Sequence, residues 1–301
     1  MKAPAVTRLT FPHPCQMPPN PTHPLLHQLR LLLVALQFLT RVPVPGWACE
    51  NFQAGWLNTC VRYFPVVGAL VGCVGAAVLW AALVFWPPQV AALLAVAATV
   101  WLTGAFHEDG LADTLDALGG YVPRERALAI MKDSRIGTYG AAALVLSLGL
   151  RVALLGSLAA VDPLGAALAL VAAHVVGRTA AVMVMAWLPY AGDAEHAKAK
   201  PLATAVDAAS VQWAAVWGLV LLAGLALVDA SLGLADGQAG DLSLLDGMSM
   251  RWLWVLAATV GVVWAMRRWL TQRLGGYTGD ALGATEQFTE MAVLLVLASG
   301  T

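Results

Sequence analysis

The sequence predicts an all-α protein, a polytopic membrane helix bundle of about seven transmembrane helices with an interfacial helix at its N-terminal end. Three observations carry that prediction. Of 301 residues, 59% are apolar and only 12% are charged, where soluble domains carry roughly 25% charge. The mean hydropathy is +0.73. The apolar residues also gather into runs of about 20, the length a helix needs to cross the hydrocarbon core.

In chain order, residues 1–24 are rich in proline and polar groups and lack the apolar core of a signal peptide, so they read as a disordered extension. His13, His23 and His27, in it or beside it, reflect chance clustering better than a metal site. Residues 25–301 read as one integral membrane domain. The stretch 25–40 is too short to cross and carries Arg30, which suits an interfacial or half-inserted helix. Spans are expected at 62–86, 89–106, 138–161, 164–188, 211–229, 252–270 and 284–300. Trp86-Pro87-Pro88 and Asp162-Pro163 are tight turns that make hairpins of the runs beside them. Abundant Gly and Ala within the runs fit close helix packing in lipid.

Charge in the connections sets the orientation. Loop 107–137 holds Arg124, Arg126, Lys132 and Arg135, and loop 190–210 holds Lys198 and Lys200. Arg267, Arg268 and Arg273 flank the turn at 270–280. Loop 230–250 instead holds Asp236, Asp241 and Asp246, with no basic residue before Arg251. By the positive-inside rule the first three connections face the cytoplasm and the last does not.

Composition also excludes. A net charge of −1 gives no field that would favour nucleic acid. Cys15, Cys49, Cys60 and Cys73 form no C-x-x-C pair, and no histidines stand at zinc spacing, which argues against a disulfide framework or structural zinc. No P-loop and no G-x-G-x-x-G after a strand is present.

The chemistry-bearing residues begin where an apolar run ends abruptly in His107, Glu108, Asp109, Asp113 and Asp116. On a helix, Asp109, Asp113 and Asp116 fall within about 60° of one another. Like charges on one stripe repel, which points to a cation that neutralises them; hard oxygen donors suit Mg²⁺ or Mn²⁺ better than zinc. A solvated acidic loop closing a membrane hairpin is the plainer alternative. Glu108, which points away from the stripe, and Glu125 are expected to be dispensable.

Directly after it, Lys132 and Arg135 supply a point charge and a planar fork suited to phosphate oxygens. Gly137 and Gly140 let backbone N–H groups approach an anion at the start of the next helix. For Arg124 and Arg126 a basic belt on anionic lipid is the better reading. Near the C-terminus, Asp280, Gln287 and Glu290 share about 80° of a helix beginning near Asp280. Asp280 has the alternative of a simple N-cap after Gly279. Glu290 lies well inside the last apolar run, where an ionisable group is functional by default. Arg151 and Arg178, each inside a predicted span, are candidate counter-ions for these carboxylates or members of a purely structural ion pair. Acids for a divalent metal beside cations for phosphate, at a membrane surface, point to phosphoryl or phosphodiester transfer.

In these residues the chain resembles the adenosylcobinamide-GDP ribazoletransferase (cobalamin-5′-phosphate synthase) family over about residues 28–301. The resemblance rests on Phe38-Leu-Thr-Arg-Val-Pro-Val-Pro45, Arg62-Tyr-Phe-Pro-Val-Val-Gly68, Thr103–Gly120, Met131-Lys-Asp-Ser-Arg-Ile-Gly-Thr-Tyr-Gly140 and Gly276-Tyr-Thr-Gly-Asp-Ala-Leu-Gly283, all in order. It implies an Mg²⁺-dependent catalytic domain in the bacterial inner membrane, multi-pass, its active site facing the cytoplasm. The implied reaction joins α-ribazole, or its 5′-phosphate, to adenosylcobinamide-GDP and releases GMP. On that basis Asp109, Asp113, Asp116 and Asp280 are the candidate catalytic residues, and the same four with Glu290 the candidate Mg²⁺ ligands. Lys132, Arg135, Arg178 and Arg62 are candidates for the substrate phosphates. Membrane lipid is an expected partner, nucleic acid is not, and self-association into a homo-oligomer is left open. Two rivals are weighed. A membrane alcohol phosphotransferase with a lipid acceptor would carry D-G-x-x-A-R, which Asp109-Gly110 does not open here. A cation transporter would need acids deep on several spans, where only Glu290 is expected.

Overall fold

In a computed structural model, residues 24–50, 52–192, 205–233 and 242–299 are described. The extension expected at 1–24 therefore falls outside the described residues except for Pro24, as do Lys198, Lys200, Asp236 and Asp241. Among the described residues the regular structure is helical, with one isolated bridge between Tyr190 and Tyr277.

Helix α1 (Pro24–Leu39) has 16 residues, too few to cross a bilayer, as its sequence suggests. A short α2 (Gly55–Cys60) and one 3₁₀ turn run into α3 (Phe64–Leu83), and together they make a continuous apolar span, Gly55–Leu83. Helix α4 (Pro88–Thr103) starts on proline, whose fixed φ suits a first turn and whose missing N–H is not needed there. It stops at Gly104, φ 72°, followed by Ala105 at φ 58°. Two successive left-handed residues redirect the chain by 88° into α5 (Phe106–Leu118). The span expected at 89–106 is thus one arm of a bent pair.

After the short α6 (Arg124–Ile130), α7 (Thr138–Val161) and α8 (Pro163–Trp187) form the hairpin expected at Asp162-Pro163. Asp162 caps α8 by accepting from Gly165 N at 2.8 Å. Helix α9 (Ala208–Gly233) is capped by Asp207, which accepts from Ser210 N at 2.8 Å. Helix α10 is Leu242–Leu274 and α11 is Gly279–Leu297. The acidic connection expected at 230–250 is therefore shorter, because helix extends to Gly233 and resumes at Leu242.

The fold class is as the sequence predicts, with a different number of spans. Among the described residues five helices are long and apolar enough to cross a membrane, or up to six if the bent pair is one span. The difference from about seven lies in that bend and in α11, whose Asp280, Glu286 and Glu290 make it too acidic to pass as a lipid-facing span. Helix α8 explains how α11 is accommodated. The apolar stretch of α8 is 83% buried, a central post wrapped by its neighbours. A Cβ on Gly72 of α3 would lie 2.6 Å from Val171 Cα of α8, so that pair packs backbone to backbone.

One end of the bundle is knit together by arginines. Arg124 Nε donates to Leu274 O at 2.6 Å, and Arg273 donates to Leu118 O and Gly120 O at 2.9 and 2.7 Å. Tyr277 N donates to Pro189 O at 2.9 Å. The connections after α5, after α8 and before α11 are therefore one surface. Single-cysteine labelling of sealed vesicles should modify positions 121 and 275 from the same face. Labelling from opposite faces would contradict this arrangement.

Candidate active site

The site begins at a helix crossing. A Cβ on Gly110 of α5 would stand 2.7 Å from Asp280 O, and one on Gly283 of α11 would stand 3.1 Å from His107 O. Only two glycines let the backbones come this close. The crossing sets Asp280 against Gly110, one residue from Asp109 and three from Asp113, which are 171 and 167 positions from Asp280 in sequence. Asp109 is exposed, and Asp113 and Asp280 are half-buried. Asp280 is not the cap of α11: Thr278 is, its Oγ1 accepting from Ala281 N at 3.2 Å. Asp280 lies in the first turn, where the helix dipole favours an anion.

Asp116 has a different position. Its carboxylate accepts from Gly137 N at 2.6 Å and Gly140 N at 2.8 Å, closing the start of α7. The backbone donors expected to meet a phosphate thus meet a side chain of the same stripe.

Beneath the crossing lies a buried ionic network. Arg151 of α7 pairs with Glu108 at 3.0 Å and Glu290 at 2.8 Å, and also donates to Gln287 Oε1 at 2.9 Å. Arg178 of α8 donates to Glu290 at 2.8 Å and pairs with Glu286, while His174 pairs with Glu290. His107 Nδ1 stands 3.2 Å from Glu286. All of these side chains are at least nine-tenths buried. Arg151 and Arg178 thus both form buried ion pairs with acids of α5 and α11. His174, Glu286 and Glu290 put ligand atoms within 4.8 Å of one another. Two guanidiniums already occupy these carboxylates, which leaves the group poorly suited to a dication. The aspartates of the stripe are not gathered into a comparable three-ligand cluster among the described residues.

The remaining basic candidates are dispersed. Lys132 and Arg135 are exposed in the connection between α6 and α7. Arg135 Nε donates to Asp133 at 2.9 Å and holds that carboxyl down at about 2, so the pair is ionised at neutral pH. Arg62 donates to Ser210 Oγ at 2.9 Å and ties α3 to the start of α9.

Glu108 points away from the stripe as expected, but inward: it is 5% exposed and paired with Arg151, which gives it a structural role the sequence did not suggest. Nor is Glu290 alone at depth; Glu108 and Glu286 join it. The sequence did carry signals. Glu286 stands one turn before Glu290 on the same face, and His174 one turn before Arg178. Each is an ionisable pair inside an apolar run.

An apolar cleft of about 530 Å³, counting its open mouth, adjoins the crossing. Phe38, Phe64 and Phe106 line its side, Gly279 lies next to Asp280 at its edge, and Arg178 and Glu286 line it from the network.

Fold and site together define a polytopic membrane protein with an acidic surface site, a basic loop beside it and an apolar cleft leading inward. Residues 31–298 match the family model for cobalamin-5-phosphate synthase. An adenosylcobinamide-GDP ribazoletransferase of Leptothrix cholodnii is 49% identical over 280 residues, 90% of this chain and 96% of its own. That of Albidiferax ferrireducens is 43% identical over 282 residues, 90% and 98% of the two chains. That of Shewanella amazonensis is 41% identical over 270 residues, 90% and 95%. No solved structure matches. The chain belongs to the cobalamin-5-phosphate synthase family.

Two substitutions probe this architecture. Glu108→Ala strips one acid from a buried pair, and the loss should be on the order of 3 kcal/mol, read as a fall in the unfolding midpoint of the detergent-solubilised protein. A midpoint equal to the wild type's would show that Arg151 needs only Glu290. Gly110→Ala should separate α5 from α11 and weaken turnover more than stability, because a methyl has no room against Asp280 O.

Proposed function

We propose that the protein is an Mg²⁺-dependent ribazoletransferase of the bacterial inner membrane, its site open to the cytoplasm. It joins α-ribazole or its 5′-phosphate to adenosylcobinamide-GDP and releases GMP. The observation that carries this reading is the crossing at Gly110 and Gly283, which brings Asp280 to the Asp109–Asp113 stripe in a chain of this family.

Asp109, Asp113 and Asp280 are the groups that would hold magnesium. They fit it by donor type: several hard, anionic oxygens at an accessible surface, with no thiolate or imidazole required. When bound, the metal supplies positive charge to the diphosphate as GMP departs. The chain's own residues do the rest. Lys132 and Arg135 hold phosphate oxygens of the GDP moiety, the Arg135 fork being released from Asp133 to do so. Asp116 keeps the loop that carries them against α5 through its two backbone bonds. The ribose hydroxyl forms a bond to the phosphorus attached to cobinamide, the bond from that phosphorus to the GMP oxygen breaks, and Asp280 takes the hydroxyl proton. Glu290 and Arg178 act from below, fixing α11 and α8. Arg62 secures the entrance to α9.

The chain purified in detergent and incubated with adenosylcobinamide-GDP, α-ribazole and Mg²⁺ should yield GMP and a cobalamin, and EDTA should stop it. Asp109→Ala, Asp113→Ala and Asp280→Ala should each abolish turnover in protein that still inserts. Normal turnover by Asp113→Ala would remove the centre of the proposal.

Lys132→Ala and Arg135→Ala should each lower kcat/KM for adenosylcobinamide-GDP about ten- to hundredfold, the worth of one charge-assisted contact. Part of the loss should appear in kcat, because charge on the phosphates redistributes as GMP leaves. If neither constant changes, these residues belong to a lipid-facing basic belt.

A further inference from the structure

The cleft beside the crossing has the chemistry of a nucleoside seat. Phe38 stacks on Phe64 with ring centroids 5.9 Å apart and meets Phe106 edge-on at 5.6 Å, so three phenyl rings form one wall. Such a wall suits a flat fused-ring base more than a flexible chain, because rings offer preformed faces that need no rearrangement. The cleft opens to the surface, and its enclosed part is small, so a base would sit at the mouth against the rings.

The inner end is polar, and its groups are not fully used. Arg178 Nη1 donates to Glu290 Oε1 at 2.8 Å and lies against Glu286 Oε1, with His174 Nδ1 also 2.8 Å away. Glu286 Oε1 has the ion pair with Arg178 Nη1 and no further donor among the described residues, and Arg178 Nε has no acceptor there. Both residues line the cleft, and both are at most 2% exposed. A buried donor without an acceptor is costly, and the Glu286 oxygen near it can accept a second hydrogen bond, so a ligand that meets both is favourable. One sugar hydroxyl does so, accepting from Nε–H and donating to the carboxylate oxygen. Lipid acyl chains offer neither group.

We infer that this cleft seats the acceptor nucleoside. Its aromatic base lies against Phe38, Phe64 and Phe106, one secondary ribose hydroxyl bridges Arg178 and Glu286, and the other, the nucleophile, reaches Gly279 and the adjoining Asp280. The inference rests on the ribazoletransferase reading and adds the place and determinants of acceptor binding. It also gives the buried network a second task, because the residues that anchor α8 to α11 then hold the sugar at a set depth below the acidic site.

The test uses the full chain in detergent. Equilibrium binding of α-ribazole is measured with no corrinoid present, and KM is measured for both substrates. Phe106→Ala removes a 40% exposed ring that the fold does not need buried. It should weaken α-ribazole binding roughly fivefold to a hundredfold, the worth of stacking one base on an aromatic ring, with KM for adenosylcobinamide-GDP unchanged. The hydroxyl contact is tested with 2′-deoxy and 3′-deoxy analogues of α-ribazole. One of them should bind more weakly than α-ribazole to the wild type but equally to Glu286→Gln. Unchanged α-ribazole affinity in Phe106→Ala, or a change confined to adenosylcobinamide-GDP, would overturn the inference, and a cleft that serves as a lipid groove gives the first of these patterns. Absence of GMP formation by the wild type would instead sink the ribazoletransferase reading, so the two failures are distinguishable.

Discussion

Two arginines and three glutamates lie inside a bundle built to sit in hydrocarbon. A single charge at mid-membrane costs about 2.5–3.5 kcal/mol on insertion scales, and an unpaired one in a dry interior costs more. Arg151 and Arg178 therefore hold Glu108, Glu286 and Glu290 to them, and these residues come from four different helices, α5, α7, α8 and α11. Apolar packing alone tolerates sliding by a turn, because one Leu or Ala face resembles the next. A guanidinium that must meet two carboxylates does not. The ionic network is what sets the register of these helices.

The rest of the site follows from that register. With Glu108 tied to Arg151 and His107 beside Glu286, α5 cannot shift along α11, so Gly110 and Gly283 meet and their backbones touch. Only there does Asp280 come up beside the aspartate stripe. The 88° bend between α4 and α5 serves the same end. It stops an apolar span and lays an acidic helix across the bundle, with Asp109 exposed and Glu108, its neighbour in sequence, buried. Adjacent residues thus divide the work: one faces the aqueous site and one holds the helix that carries it. The loop that carries Lys132 and Arg135 is kept close by Asp116, whose two backbone bonds join the end of α5 to the start of α7.

Much of this was legible in the sequence because it depends on local spacing. Runs of apolar residues near 20 located the spans, the Asp162-Pro163 turn fixed a hairpin, and i, i+4, i+7 spacing put three aspartates on one stripe. The family resemblance was carried by long motifs in order, and the comparisons agree with it. What spacing could not reveal was pairing between distant helices. Glu108 looked dispensable because a helical wheel shows which way a residue points but not what lies there. Asp280 looked like a cap, although Thr278, two residues earlier, reaches the free N–H first. The last helix looked like a lipid-facing span because its average is apolar, whereas its acids are satisfied by arginines more than 100 positions away by the numbering. The bend at Gly104 and Ala105 was hidden for a simpler reason: nothing in Thr-Gly-Ala-Phe requires two left-handed residues.

The idea that most needs testing is that α5 and α11 contribute to one metal site. Binding of Mn²⁺, as a paramagnetic stand-in for Mg²⁺, can be followed by electron paramagnetic resonance on the full-length protein in detergent, without substrates. If the aspartates of both helices share an ion, Asp113→Ala and Asp280→Ala should each remove the same bound Mn²⁺ signal, and Mg²⁺ should displace it from the wild type. Retention of that signal at wild-type affinity in either variant would show that the two helices do not share the ion, and would contradict a site formed at their crossing.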